Sequence, residues 1–158
     1  MEISHLVGAD MITIGWPGGN PPEKPDKWAL LKDLSAFLLS SKKIDQEGQK
    51  ESYELVVERE KSMTTGIGHG VAIPHATVPA IKKAACALCI LPEGIEFEAI
   101  DHQKVGIIFL ILLPHKKFQD HIQVLANIAA LTNQEEFREK LLAAQTSKEA
   151  WTILDSSE

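Results

Sequence analysis

A chain of 158 residues fits a single domain, on the usual scale of roughly 100 to 200 residues each, and is long enough to bury a core. Its 16 basic and 22 acidic residues give a formal charge of −6 with no dense Lys/Arg run, which argues against a nucleic-acid partner. The longest apolar run, VGIIFLILL from Val105 to Leu113, falls far short of the roughly 20 residues that cross a bilayer, and the opening MEISHLVGAD lacks the basic segment of a signal peptide, so a cytoplasmic protein without membrane insertion is expected.

In chain order, Met11 to Ile14 is a short apolar stretch, and the breaker-rich GWPGGNPPEKP that follows must be loop. Asp26 is a good N-cap for a helix to about Ser40, with Trp28, Leu31, Leu34 or Ser35, and Leu38 at helical spacing. A second helix is expected from Asp45, its N-cap, to Glu60, turning Tyr53, Val56 and Val57 inward. Three strands are expected next, Val71 to Pro74, Ala84 to Leu91, and Val105 to Leu113. The last two are apolar throughout, as in strands covered on both faces by helices. Between them Pro92-Glu93-Gly94 reads as a turn, and Ile95 to Glu98 alternates like a half-exposed strand.

The remainder reads as helical. Phe118, Ile122, Leu125 and Ala129 form one stripe, Thr132 or Asn133 caps a helix through Leu142, and Thr146 with Glu149 makes a capping box ahead of Trp151 and Leu154. With no internal repeat or linker, residues 1–158 read as one α/β domain, in which residues 1–25 supply an N-terminal strand and a Gly/Pro-rich loop.

Two local patterns bear on chemistry. Cys86 and Cys89 form a C-x-x-C, but inside an apolar strand residues three apart point to opposite faces, so core packing is favoured over a redox role. The second pattern is TTGIGHGVAIPHA, with Gly66, Gly68 and Gly70 at alternate positions and an apolar run ending at Pro74-His75. It lacks the Lys of a phosphate-binding P-loop and the G-x-G-x-x-G of a dinucleotide fingerprint. Its N–H groups could line an anion site beside the strand bearing His75, or the loop could be no more than a tight turn. His121 sits at the edge of its helix's apolar face, where it could enter a groove between helix and sheet, and Arg59 ends the helix feeding the glycine loop. Two histidines, a guanidinium and a glycine loop suit phosphoryl transfer. The pairs His69/His75 and His115/His121 leave a metal site conceivable, although no H-E-x-x-H or carboxylate at ligand spacing accompanies them.

The segment from Glu58 to Asp101, ERE…TTGIGHGVAIPHA…FEAID, resembles the enzyme IIA family of fructose/mannitol type in the phosphoenolpyruvate-dependent phosphotransferase system, including its nitrogen-regulatory branch. The resemblance runs from about residue 26 through His121, in HIQVLANIA, to the end. It implies a three-layer α/β sandwich, a central mixed sheet with helices on both faces. It also implies a histidine phosphocarrier: His75 matches the phosphoaccepting histidine, His121 the second active-site histidine, and Arg59 the arginine near the phosphate. Thr64 and Thr65 match the polar residues before the first glycine. Together with His69, which stands where the family usually has Asn, and Gly70, they would complete the phosphate's surroundings.

No cofactor and no metal are implied. The implied donor is phospho-HPr or its nitrogen-branch counterpart, and the implied recipients are an EIIB or regulatory target proteins. The absence of an attached IIB, IIC or HPr segment and the wording of GIGHGVAIPHA and FEAIDHQKV favour the regulatory branch over a stand-alone sugar-transport EIIA. A binding module that uses the fold without phosphorylation is a lesser alternative.

Overall fold

The computed structural model describes residues 2–116 and 118–158, apart from the side chains of Phe118 and Asp120. A one-turn helix α1 (Ile3–Leu6) precedes strand β1 (Ile12–Ile14), and the Gly/Pro-rich loop makes a single 3-10 turn at Pro17–Gly19. Helices α2 (Lys27–Ser41) and α3 (Gln46–Ser62) lead into strands β2 (Gly66–Gly68), β3 (Val71–Ala72), β4 (His75–Thr77), β5 (Ala85–Ile95) and β6 (Val105–Leu113). Helices α4 (Phe118–Thr132), α5 (Glu135–Ala143) and α6 (Ser147–Ser157) complete the chain.

The strands form one mixed sheet in the order β1-β5-β6-β3-β2, with β4 continuing the line of β3 against β6. β1 runs parallel to β5, β5 antiparallel to β6, and both β3 and β4 parallel to β6. Every residue of β6, and β5 from Ala85 to Leu91, is buried, the burial that continuous apolar strands require when helices cover both sheet faces. α2 packs on β5 and β6 and α3 on β4, while α5 packs on β5 and β6 and α6 on β1.

Local signals explain most helix boundaries. The Asp26 carboxylate accepts the Ala29 N–H at 2.8 Å, and Asp45 accepts that of Gly48 at 2.8 Å, so both expected N-caps are in place. Thr146 Oγ1 likewise accepts the Glu149 N–H at 3.1 Å, but the returning Glu149 carboxylate takes the Gln145 N–H instead of completing the box on Thr146.

Other expectations need correction. Thr132 does not cap α5. It ends α4, where its hydroxyl bonds back to the Ile128 carbonyl at 2.8 Å, and α5 starts after Gln134 without a side-chain cap. Pro92-Glu93-Gly94 is not a turn between strands, because β5 continues through it to Ile95. The register against β6 jumps between the pairs Ile90–Ile107 and Ile95–Val105, so the extra residues are absorbed as a bulge, a position that tolerates Pro and a positive-φ Gly. Residues 96–99 form no strand, although their alternation is correct: Phe97 and Ala99 point inward, Glu96 and Glu98 outward.

The single strand expected at Val71–Pro74 is two. Ile73 N–H donates to the Thr65 carbonyl at 3.0 Å, on the β2 side, and Pro74 has no N–H to give β6; its carbonyl still accepts the Ile111 N–H at 2.9 Å, so the ladder is interrupted at Pro74 and goes on from His75 in the same register. In α4 the buried positions among the described side chains are His121, Val124, Ile128, Leu131 and Thr132; Ile122 is exposed, Leu125 and Ala129 are half-buried, and the Phe118 side chain lies outside the described residues. The helix is thus turned by about one residue from the stripe expected, bringing His121 fully into the interior.

Candidate phosphoacceptor cleft

His75 opens β4 opposite Ile111 of β6. The two-residue strand period turns His75 and Thr77 to one side and sends Ala76 into the core. The His75 Nδ1 lies 2.9 Å from the Ile73 carbonyl oxygen. A carbonyl only accepts, so Nδ1 carries the proton and Nε2 holds a free lone pair. Partial burial lowers the imidazole pKa below its ordinary value; the Ile73 hydrogen bond works against this, the Arg59 guanidinium adds to the lowering, and the Glu60 carboxylate raises it. The balance favours a neutral ring.

His75 lies in a cleft of about 510 Å3 that brings together α3, β4 and α4. Leu55, Glu58, Arg59 and Ser62 of α3 line it, which is the i, i+3, i+4, i+7 face of one helix. From α4 come His121, Ile122 and Leu125. Arg59, His75 and His121 therefore share one cavity, as the sequence pattern anticipates. Arg59 is oriented by an Nη1–H bond to the Met63 carbonyl at 3.1 Å, across the end of its own helix. His121 is only 6% exposed, and among the described residues its ring makes no hydrogen bond. It is a buried polar group with capacity to donate into the cleft.

The other four expected phosphate contacts do not line the cleft. The Thr65 hydroxyl and its N–H both donate to the buried Glu60 carboxylate, the N–H at 2.7 Å. The Thr64 hydroxyl donates to the Phe97 carbonyl at 3.3 Å and accepts the Gly66 N–H at 3.2 Å. His69 is exposed at the tip of the β2–β3 hairpin, where Gly68, His69 and Gly70 all take positive φ, and its N–H donates to the Asp101 carboxylate at 2.9 Å. The Gly70 carbonyl accepts from Gly106 and Ile107, at 2.9 and 3.1 Å. The alternate glycines thus serve a tight hairpin pinned to Asp101, because left-handed backbone is needed to turn within so few residues. Gly66 has a separate reason: a Cβ there would lie 2.7 Å from the Ala99 backbone.

Sequence reasoning missed Glu58, Ser62 and Thr77 as cleft residues. The helical and strand periods measured from Arg59 and His75 would have found them. Among the described residues, no group of three His, Cys, Asp or Glu side chains is placed to hold a metal ion. Cys86 and Cys89 are buried free thiols; desolvation pushes Cys89 up to about 12 and raises Cys86 as well, and the Cys89 thiol donates to the Gly15 carbonyl at 3.5 Å.

With this geometry established, comparison with known proteins is decisive. Residues 21–157 match the family model described as phosphoenolpyruvate-dependent sugar phosphotransferase system, EIIA 2. The chain belongs to this family.

Among relatives of this EIIA type 2 protein, a Haloferax volcanii protein named PTS system fructose-specific EIIA component is 31% identical over 153 residues, 97% of this chain and 94% of its own. A Bradyrhizobium diazoefficiens nitrogen regulatory protein is 36% identical over 118 residues, covering 73% and 77% of the two chains. The crystal structure of nitrogen regulatory protein IIA-Ntr from Neisseria meningitidis superposes with a TM-score of 0.80 at 27% identity, over 96% of this chain and 98% of that one. The mixed sheet flanked by helices is therefore the EIIA type 2 fold, and the protein is a component of a phosphotransferase system. Among the described residues no helix is long and apolar enough to cross a membrane.

Proposed function

We propose that the protein is a histidine phosphocarrier that accepts a phosphoryl group on Nε2 of His75. The observation that carries this reading is the hydrogen bond from His75 Nδ1 to the Ile73 carbonyl, which leaves Nε2 unprotonated in a cleft shared with Arg59 and His121. The Nε2 lone pair attacks phosphorus as the donor's nitrogen–phosphorus bond breaks and the donor nitrogen keeps the bonding pair. The proton on Nδ1 stays where it is. Such transfers need alignment and neutralisation of the equatorial oxygens more than acid–base help. The Arg59 guanidinium supplies a fork of donors, and the buried His121 an N–H in the wall of the same cleft.

The donor in this reading is phospho-HPr or its nitrogen-branch counterpart, and the role is regulatory, with phosphate or its absence deciding which target proteins bind. The nitrogen regulatory relatives support that branch. The Haloferax relative, aligned over nearly all of both chains, favours a second reading in which a sugar-specific EIIB receives the phosphate.

Intact mass after incubation with phosphoenolpyruvate, enzyme I and HPr, with the nitrogen-branch pair in parallel, tests both readings. One acid-labile phosphate, lost in His75→Ala, is expected, and the faster donor identifies the branch. No gain from either donor overturns the phosphocarrier reading.

A further inference from the structure

His121 forms part of the wall of a second cleft as well, of about 550 Å3, at one end of the sheet. The topology explains its place. β4 and β6 run parallel and β5 antiparallel to them, so the ends of β4 and β6 and the start of β5 meet there, tied by the Val78 N–H to the Leu113 carbonyl at 2.8 Å. The 78–84 segment and Pro114 close this end, a crevice at strand carboxyl ends of the kind where open α/β sheets bind ligands.

The floor of the cleft is apolar, from Leu6, Ala84 and Pro114, and its rim carries Lys82, Lys83 and Lys116. No carboxylate is among the described lining residues, on a chain whose formal charge is −6. Among the described residues none of these three lysines forms an ion pair, whereas the neighbouring His5 has Glu2 at 3.5 Å. His121, 6% exposed as a residue, borders the same space. Unpaired cations around an apolar floor, with a buried imidazole in the wall, match an anionic group joined to an apolar body. The volume lies within the roughly 300–1,000 Å3 usual for small-molecule sites.

We propose that this cleft binds a small organic anion, a phosphate ester or carboxylate with an apolar portion, separately from the His75 cleft. The phosphate or carboxylate sits among Lys82, Lys83 and Lys116, and the apolar part covers Leu6, Ala84 and Pro114. Because His121 borders both clefts, its imidazole senses occupancy. The site stands whether or not His75 carries phosphate.

Titration of the full chain with phenyl phosphate, followed by amide and imidazole NMR, tests this site, with inorganic phosphate as the arm that lacks the apolar body. Saturable shifts are expected at the Leu6, Lys83 and Ala84 amides and the His121 ring, with weaker binding of inorganic phosphate. The double variant Lys82→Glu/Lys83→Glu, its fold verified by an otherwise unchanged spectrum, should bind phenyl phosphate about tenfold more weakly or worse, as loss of charged hydrogen bonds requires. Shifts confined to the amides around His75, or equal affinity in the double variant, would overturn the proposal. Failure of His75 to accept phosphate would not affect it.

Discussion

At the scale of single residues, the His75 imidazole is held in one tautomer by one carbonyl, and its pKa is lowered chiefly by burial. The consequence for pH has a definite sign. Below the ordinary imidazole pKa of 6.5 the unfolded chain binds a proton at His75 while the folded chain stays neutral. Stability from this group is therefore complete above that value and declines as pH falls through the lowered one. Phosphate acceptance should stay level as pH drops past the ordinary value and decline only below it, in step with the His75 ring signals in an NMR titration; decline centred on the ordinary value would contradict the lowered pKa. His121→Ala should slow acceptance by about 100-fold, the usual cost of removing one fixed oxyanion donor, without removing the acceptor nitrogen. Arg59→Lys should slow it by about tenfold or more, since an ammonium cannot reproduce the fork. Single-turnover labelling with phosphorylated donor measures both.

At the scale of elements, the site is assembled through a buried junction invisible in the sequence pattern. Lys27, the first residue of α2, places its ammonium 3.2 Å from the Glu60 carboxylate of α3, and both are almost fully buried. The same ammonium sits 4.8 Å from the centre of the Phe97 ring, and Glu60 accepts both the N–H and the hydroxyl of Thr65. One carboxylate thus joins α2, α3 and the start of the glycine hairpin, directly behind Arg59. Lys27→Ala would leave the charge of Glu60 buried without its cation. The expected loss is about 3 to 5 kcal/mol in urea unfolding, and a loss below about 1 kcal/mol would show that Thr65 alone satisfies the carboxylate. The glycine hairpin contributes at this scale too: its turn is tied to Asp101 at the β2 edge of the sheet, and its residues do not line the His75 cleft.

At the scale of the molecule, the two ends of the chain are stitched together around the sheet. Glu158 accepts the N–H groups of Ile3 and Ser4 at 2.7 and 2.6 Å, and Trp151 Nε1–H donates to the Ser4 carbonyl at 2.9 Å. β6 is the hub, paired with β5 on one side and with β3 and β4 on the other. Leu110, next to its central residue and fully buried, should cost about 2 to 5 kcal/mol when truncated to Ala. Thermal unfolding should show that loss, while His75 of the still-folded protein keeps its phosphate acceptance.

Much was legible without the fold. The apolar runs of β5 and β6, the caps Asp26 and Asp45, and the motif carrying His75 are local, and local chemistry dictates them: continuous apolar strands must be covered, and a carboxylate at a helix start finds free N–H groups. Arg59, His75 and His121 were also legible as candidates, from residue type and resemblance. Which face of α4 turns inward was not, because two overlapping stripes satisfy the helical period and only the neighbours in space, α1 and α5 among them, select the one containing His121. The partners of Thr64, Thr65 and His69 were not legible either, since their competitors for hydrogen bonds, Phe97, Glu60 and Asp101, are brought to them by tertiary packing. The sequence by itself determined the elements and the chemistry available to them. Only the tertiary structure decided which side chains share the cleft with His75, because hydrogen bonds and burial are settled by neighbours in space.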